Sequence, residues 1–160
     1  MTAYDDGLSL ATIYAAEQNV ATAVQTGGAV QFLGGSTLDL GQCRIRTYRP
    51  DQMPLLQGMI GALYERHNGT RRQKLPQLRV SAKAYRRAWY DTGQHAIVLP
   101  MMRWAWNDMT LMHELAHACN GFAHDQRAAH GLAWRRLYAV LVADVVGPEA
   151  GLLLQAALDL

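Results

Sequence analysis

Residues 113 to 117 read His-Glu-Leu-Ala-His, and this H-E-x-x-H pattern has chemical meaning only on a helix. Side chains four apart on a helix share one face, with about 5–6 Å between β-carbons. Two imidazoles so placed can converge on one ion at about 2.0–2.1 Å each. The flanking residues predict the required helix. Asn107 or Asp108 can accept from the free N–H groups of a first turn, the run continues to Asn120, and Gly121 offers a stop. Glu114 lies about 100° round the helix from His113, where it can hold the water that a metal activates without ligating the metal itself. Glu114 is therefore the candidate general base, and His113 and His117 are candidate ligands.

Zinc lowers the pKa of bound water from 15.7 to roughly 7 and polarises a carbonyl, which leaves the carboxylate to move a proton. Amide hydrolysis is the natural reaction. Catalytic zinc takes three protein ligands and keeps one position open, so a third ligand is needed. Four of the six histidines fall within residues 113–130, and two of them compete for that role. His124 lies seven residues after His117, one residue longer than the metzincin pattern H-E-x-x-H-x-x-G-x-x-H allows. It reads as a loop residue that supports the ligands without touching the metal, or as an alternative ligand. His130 opens His130-Gly131-Leu132-Ala133-Trp134, an H-G-x-x-W element that follows the first motif after a twelve-residue gap.

Over residues 113–134 the sequence resembles the SprT-like zinc metalloprotease family, in which a third zinc histidine stands in an H-G-x-x-[FW] element. The resemblance implies His113, His117 and His130 as ligands of Zn2+ and a peptide or protein substrate. More broadly, YAAEQ near the start, LGGSTLDL, the paired-strand middle and GPEAGLLL near the end are similar to small HExxH metallohydrolases of actinobacteria and their phages. No cysteine-rich zinc ribbon or basic tail follows His130, unlike the better-known SprT-like and Spartan-like enzymes. Two other function classes stay open. Gly121-Phe122-Ala123-His124-Asp125 has a faint likeness to a YbeY-like metal-dependent endoribonuclease, although Glu114 replaces that pattern's glycine. A non-catalytic zinc module, such as a phage accessory protein, is the third.

The rest of the chain predicts an α+β fold: a small, mostly antiparallel sheet packed on the H-E-x-x-H helix, zincin-like, with flanking helices. Residues 8–24 place Leu10, Ile13, Ala16 or Glu17, Val20 and Val24 at helical intervals before Gly27-Gly28. Two short alternating runs around Gly34-Gly35 then read as an extended segment or a hairpin. A second helix starts at Pro54, with Leu55, Ile60, Leu63 and Tyr64 on one side, and stops near Asn68-Gly69. QLRVSA, YRRAWY and HAIVLP read as two or three strands joined by tight turns, ended by Pro100. The edge of HAIVLP is a candidate support for an extended peptide. After His130 a helix runs to Val146, Gly147-Pro148 breaks it, and a closing helix follows.

At 160 residues, 50% hydrophobic and 18% charged, the chain can bury enough surface to fold, and a single domain over 1–160 is expected. The longest apolar stretch, Leu137 to Val146, contains Asp144 and falls short of the roughly 20 residues of a membrane span. The start, MTAYDDGLSL, lacks a basic n-region, which predicts a cytoplasmic protein, in the host cytoplasm if phage-encoded. Cys43 and Cys119 are too few for a disulfide framework, and Cys119 reads as a buried filler. His67 and His95 read as surface residues beside a helix stop and a turn, and Trp104 and Trp106 as core or cleft aromatics. Arg71, Arg72, Lys74, Arg79, Lys83, Arg86 and Arg87, interleaved with Tyr85, Trp89 and Tyr90, fit the solvent face of a strand pair or a nucleic-acid contact. The polar loop 121–129 is a candidate lid over the site.

Overall fold

Helix-forming and strand-forming periodicities become an α+β architecture in the computed structural model, which describes residues 8–32, 35–68, 74–83, 87–120 and 128–160. The chain divides into two compact units. One comprises Met1–Arg46 with His124–Leu160, the other Thr47–Ala123.

In the first unit, α1 spans Leu10–Thr26. Ser9 caps it by accepting from Thr12 N–H, and Gly27 closes it at φ +66, a left-handed conformation that glycine adopts without steric cost. Its buried stripe is Ile13, Ala16, Val20 and Val24, so Ala16 rather than Glu17 faces inward. The predicted hairpin forms from β1 (Ala29–Gln31) and β2 (Thr37–Asp39), antiparallel with Val30 opposite Leu38. Helices α4 (Leu132–Val145) and α5 (Pro148–Ala157) pack against each other, and α1 lies against α5. The α4–α5 contact is close because Gly151 has no side chain. A β-carbon there would stand 2.5 Å from Ala143 Cβ and 2.9 Å from the Ala139 carbonyl oxygen. The break between the two helices is equally tight, since a β-carbon on Gly147 would meet Cys43 Sγ at 2.7 Å.

In the second unit, α2 spans Met53–His67 and buries Leu56, Ile60, Leu63 and Tyr64. Leu55, expected on the inner side, is instead 64% exposed. Three strands, β3 (Gln77–Ser81), β4 (Trp89–Asp91) and β5 (Ala96–Pro100), form a sheet in the order β3-β5-β4. The expectation of a mostly antiparallel sheet is corrected here. β3 pairs with β5 in parallel over five residues, Gln77–Ala96 to Ser81–Pro100, whereas β4 pairs antiparallel over three. The central place of β5 has a physical reason of its own, since its five residues are all buried. A strand apolar on both faces gains most from the central position, which leaves the more polar β3 and β4 at the edges. The same order takes the peptide edge from HAIVLP over Ala96–Val98, where β5 has a strand on each side. Helix α3 (Asp108–Asn120) lies against β4 and β5, and α2 lies against α3 and β3. Among the described residues no helix is long and apolar enough to cross a membrane.

Candidate metal centre

Helix α3 is built to start at a fixed point. Asn107 Oδ1 accepts from Thr110 N–H at 3.0 Å, and its amide nitrogen donates to the Trp104 carbonyl at 2.6 Å, so Asn107 is the N-cap. Thr47 bridges to Asn107, and Tyr48 N–H donates to the Trp106 carbonyl at 2.8 Å. Fully buried Asp108 opens the helix, where the positive end of the helix dipole favours a carboxylate. The Tyr48 hydroxyl donates to it at 2.5 Å. The Trp106 indole donates to the Pro100 carbonyl at 2.9 Å and is buried, while Trp104 is 47% exposed. The two tryptophans thus split between core and surface.

From that start, the three motif residues fall one to three turns along. Ten of the thirteen α3 residues are buried, His113 and Glu114 among them at 5% and 7% exposure. A solvated helix carrying incidental histidines does not look like this, because buried polar side chains cost free energy unless they have partners. The His113 and His117 rings stand 5.2 Å apart, centroid to centroid, at 62°. Cys119, on the same helix, is fully buried, and desolvation pushes its thiol up to about 12. It therefore stays a protonated filler rather than a thiolate.

His130 closes a 3-10 turn at Ala128–His130, with Gly131 as the N-cap of α4. Four residues on, Trp134 meets it edge to face, ring centroids 4.5 Å apart at 88°. Trp134 is fully buried and tilts against Tyr138 at 5.0 Å, so the H-G-x-x-W element is a ring contact that fixes the imidazole. His113, His117 and His130 each offer one ring nitrogen, and these atoms all lie within 4.8 Å of one another, close enough to hold a metal ion. His124, Gly121, Asp125 and most of the loop 121–129 lie outside the described residues, as do Arg71, Arg72, Tyr85 and Arg86.

Two features escaped the sequence. His95, expected at the surface, is 5% exposed with φ 49. Its Nε2 contacts the Lys74 carbonyl at 2.7 Å and its Nδ1 the Tyr90 hydroxyl at 2.5 Å, with Tyr64 edge-on. The turn-adjacent position hid this, since both partners come from tertiary packing. The Tyr48–Asp108 bond was also illegible, since no local pattern links residues sixty apart. A cavity of about 400 Å³, with Val24, Gln25, Cys43 and Arg44 among its walls, contains none of the predicted site residues.

No protein-family model matches the chain, and neither a curated protein nor a solved structure matches it.

Proposed function

We propose that the chain is a zinc-dependent metallopeptidase of SprT-like, zincin-like type. The observation that carries this reading is the three-imidazole group beside Glu114. The donor set fits zinc. Three neutral imidazoles suit a borderline-soft ion, and a tetrahedral ion with bonds of about 2.0–2.1 Å needs its nitrogens about 3.3 Å apart. The three ring nitrogens lie within 4.8 Å of one another. Three protein ligands also leave a coordination position for substrate or water.

His113, His117 and His130 would hold the ion, and its chemistry is Lewis acidity: it acidifies water and polarises a carbonyl. Glu114 takes the proton from the attacking water and returns it to the leaving amine nitrogen. Its 7% exposure places it out of bulk water, next to His113 on α3. The Trp134 ring holds His130 in orientation within its own unit, and the Asn107 and Asp108 bonds fix where α3 begins in the other.

Elemental analysis and casein hydrolysis test the proposal together. One zinc per chain and casein cleavage are expected, with Glu114→Gln keeping the zinc and losing the cleavage. Zinc with cleavage of structured RNA but not casein would replace the peptidase with an endoribonuclease. Zinc with neither would leave a structural module, and an active Glu114→Gln variant would remove Glu114 from the mechanism.

A further inference from the structure

The cavity of about 400 Å³ belongs to the first unit, where α1 ends and the chain leaves β2. Its volume falls among those of small-molecule sites, about 300–1,000 Å³. Buried Val24 and half-buried Ile45 give it apolar walls. Gly27 keeps it open, since a β-carbon there would meet nothing within 4 Å. Cys43 is fully buried, and its thiol donates to Glu149 Oε2 at 3.7 Å. It therefore adds bulk to the wall rather than a reactive group.

The charge of the cavity comes from Arg44. Its Nη1 donates to the Gly41 carbonyl at 2.8 Å and to the Cys43 carbonyl at 2.7 Å. Both carbonyls belong to wall residues, so the guanidinium is pinned at the cavity. The opposite edge of the fork, Nε and Nη2, has no partner among the described residues. Arg49 uses the same edge to take both oxygens of Asp51, at 3.1 and 3.3 Å, the two-point geometry that a guanidinium offers a carboxylate. Among the described residues no carboxylate pairs with Arg44, and nearby Asp39 turns its Oδ1 to the Gly41 N–H at 2.8 Å. The C-terminal end of α1 carries about half a negative charge, and the Gly27 N–H partly satisfies it through the Ala23 and Val24 carbonyls. The full charge of Arg44 outweighs that remainder. Gln25, exposed in the last turn of α1, adds a carboxamide with no partner among the described residues.

We propose that this cavity binds a small organic carboxylate, its two oxygens on the Nε–Nη2 edge of Arg44 and its apolar body against Val24 and Ile45. Inorganic phosphate brings the charge but nothing for the apolar walls, and a neutral amide brings the body without the charge. The site needs no metal and is independent of the peptidase reading.

Titration of the zinc-loaded full chain with hexanoate, followed by backbone amide shifts in nitrogen–proton correlation spectra, tests this. Saturable shifts are expected at Gly27, Gly41 and Ile45, and they should persist after chelator treatment. Hexanamide and inorganic phosphate should each bind roughly tenfold more weakly than hexanoate, since hydrogen bonds to a charged group are worth about a factor of ten. Because both comparisons use the parent protein, they stand whether or not a variant folds. Arg44→Gln should weaken hexanoate binding by about the same factor. Arg44→Lys keeps the charge and loses the fork, so it should fall between the two while holding the parent's thermal midpoint. Hexanamide or phosphate binding as well as hexanoate, an Arg44→Gln variant that binds like the parent, shifts centred on His113 that vanish on chelation, or no saturable shift would each overturn the proposal.

Discussion

The Tyr48 hydroxyl and the Asp108 carboxylate meet at 2.5 Å in a fully buried position, sixty residues apart in the chain, at the first residue of the helix that carries His113, Glu114 and His117. The bond ties the start of α3 to the segment that also supplies the Tyr48 N–H to the Trp106 carbonyl. Removing the hydroxyl takes a donor from a buried carboxylate, which costs about 1–3 kcal/mol. Tyr48→Phe should therefore lower the urea midpoint by a corresponding amount with an unchanged m-value, and unchanged stability would show that the bond contributes nothing net.

The second prediction concerns metal and stability. A ligand that binds only the folded state stabilises it by about 2.7 kcal/mol at a hundredfold excess over its Kd. Adding zinc to chelator-treated protein should raise the thermal midpoint, and His117→Ala should abolish the increase, since His117 stands 5.2 Å from His113 on the same helix. His130→Ala should do the same, because its ring nitrogen belongs to the same group. An undiminished zinc-dependent increase in the His130→Ala variant would transfer its ligand role elsewhere.

Gly151 offers a test of packing away from the histidines. A β-carbon there would come within 2.5 Å of Ala143 Cβ and 3.0 Å of its Cα, so α4 and α5 must separate to admit it. Overpacking of this kind costs about 1–3 kcal/mol. That outweighs the gain of up to about 1 kcal/mol from replacing a helical glycine with alanine. Gly151→Ala should destabilise the protein in denaturant titration.

Cys119 gives a pH dependence. Burial raises its thiol from an ordinary 9.0 to about 12, so the folded state holds a proton that the unfolded state releases. The resulting stability is fully present below pH 9 and is lost as the pH rises from 9 towards 12. Cys119→Ala should flatten the fall of stability across that window relative to the parent, measured by denaturant midpoints. The native thiol should also react with a thiol reagent only on unfolding, and rapid labelling under native conditions at pH 8 would contradict the burial.

What the sequence determined alone was local. Helices α1, α2, α4 and α5 follow from apolar spacing and from Gly27-Gly28, Asn68-Gly69 and Gly147-Pro148 at their ends. The same holds for α3 and the His113–Glu114–His117 trio on it. The backbone rules behind these features act within a few residues, so they can be read along the chain. Tertiary structure decided what depends on distant partners. It put β5 between β3 and β4 because a doubly apolar strand is best buried at the centre. It also moved His95 from an expected surface position into contact with Lys74, Tyr90 and Tyr64, and it turned Leu55 outward and Leu56 inward. Periodicity cannot assign such contacts, because the free energy that selects them comes from surface buried between segments far apart in sequence.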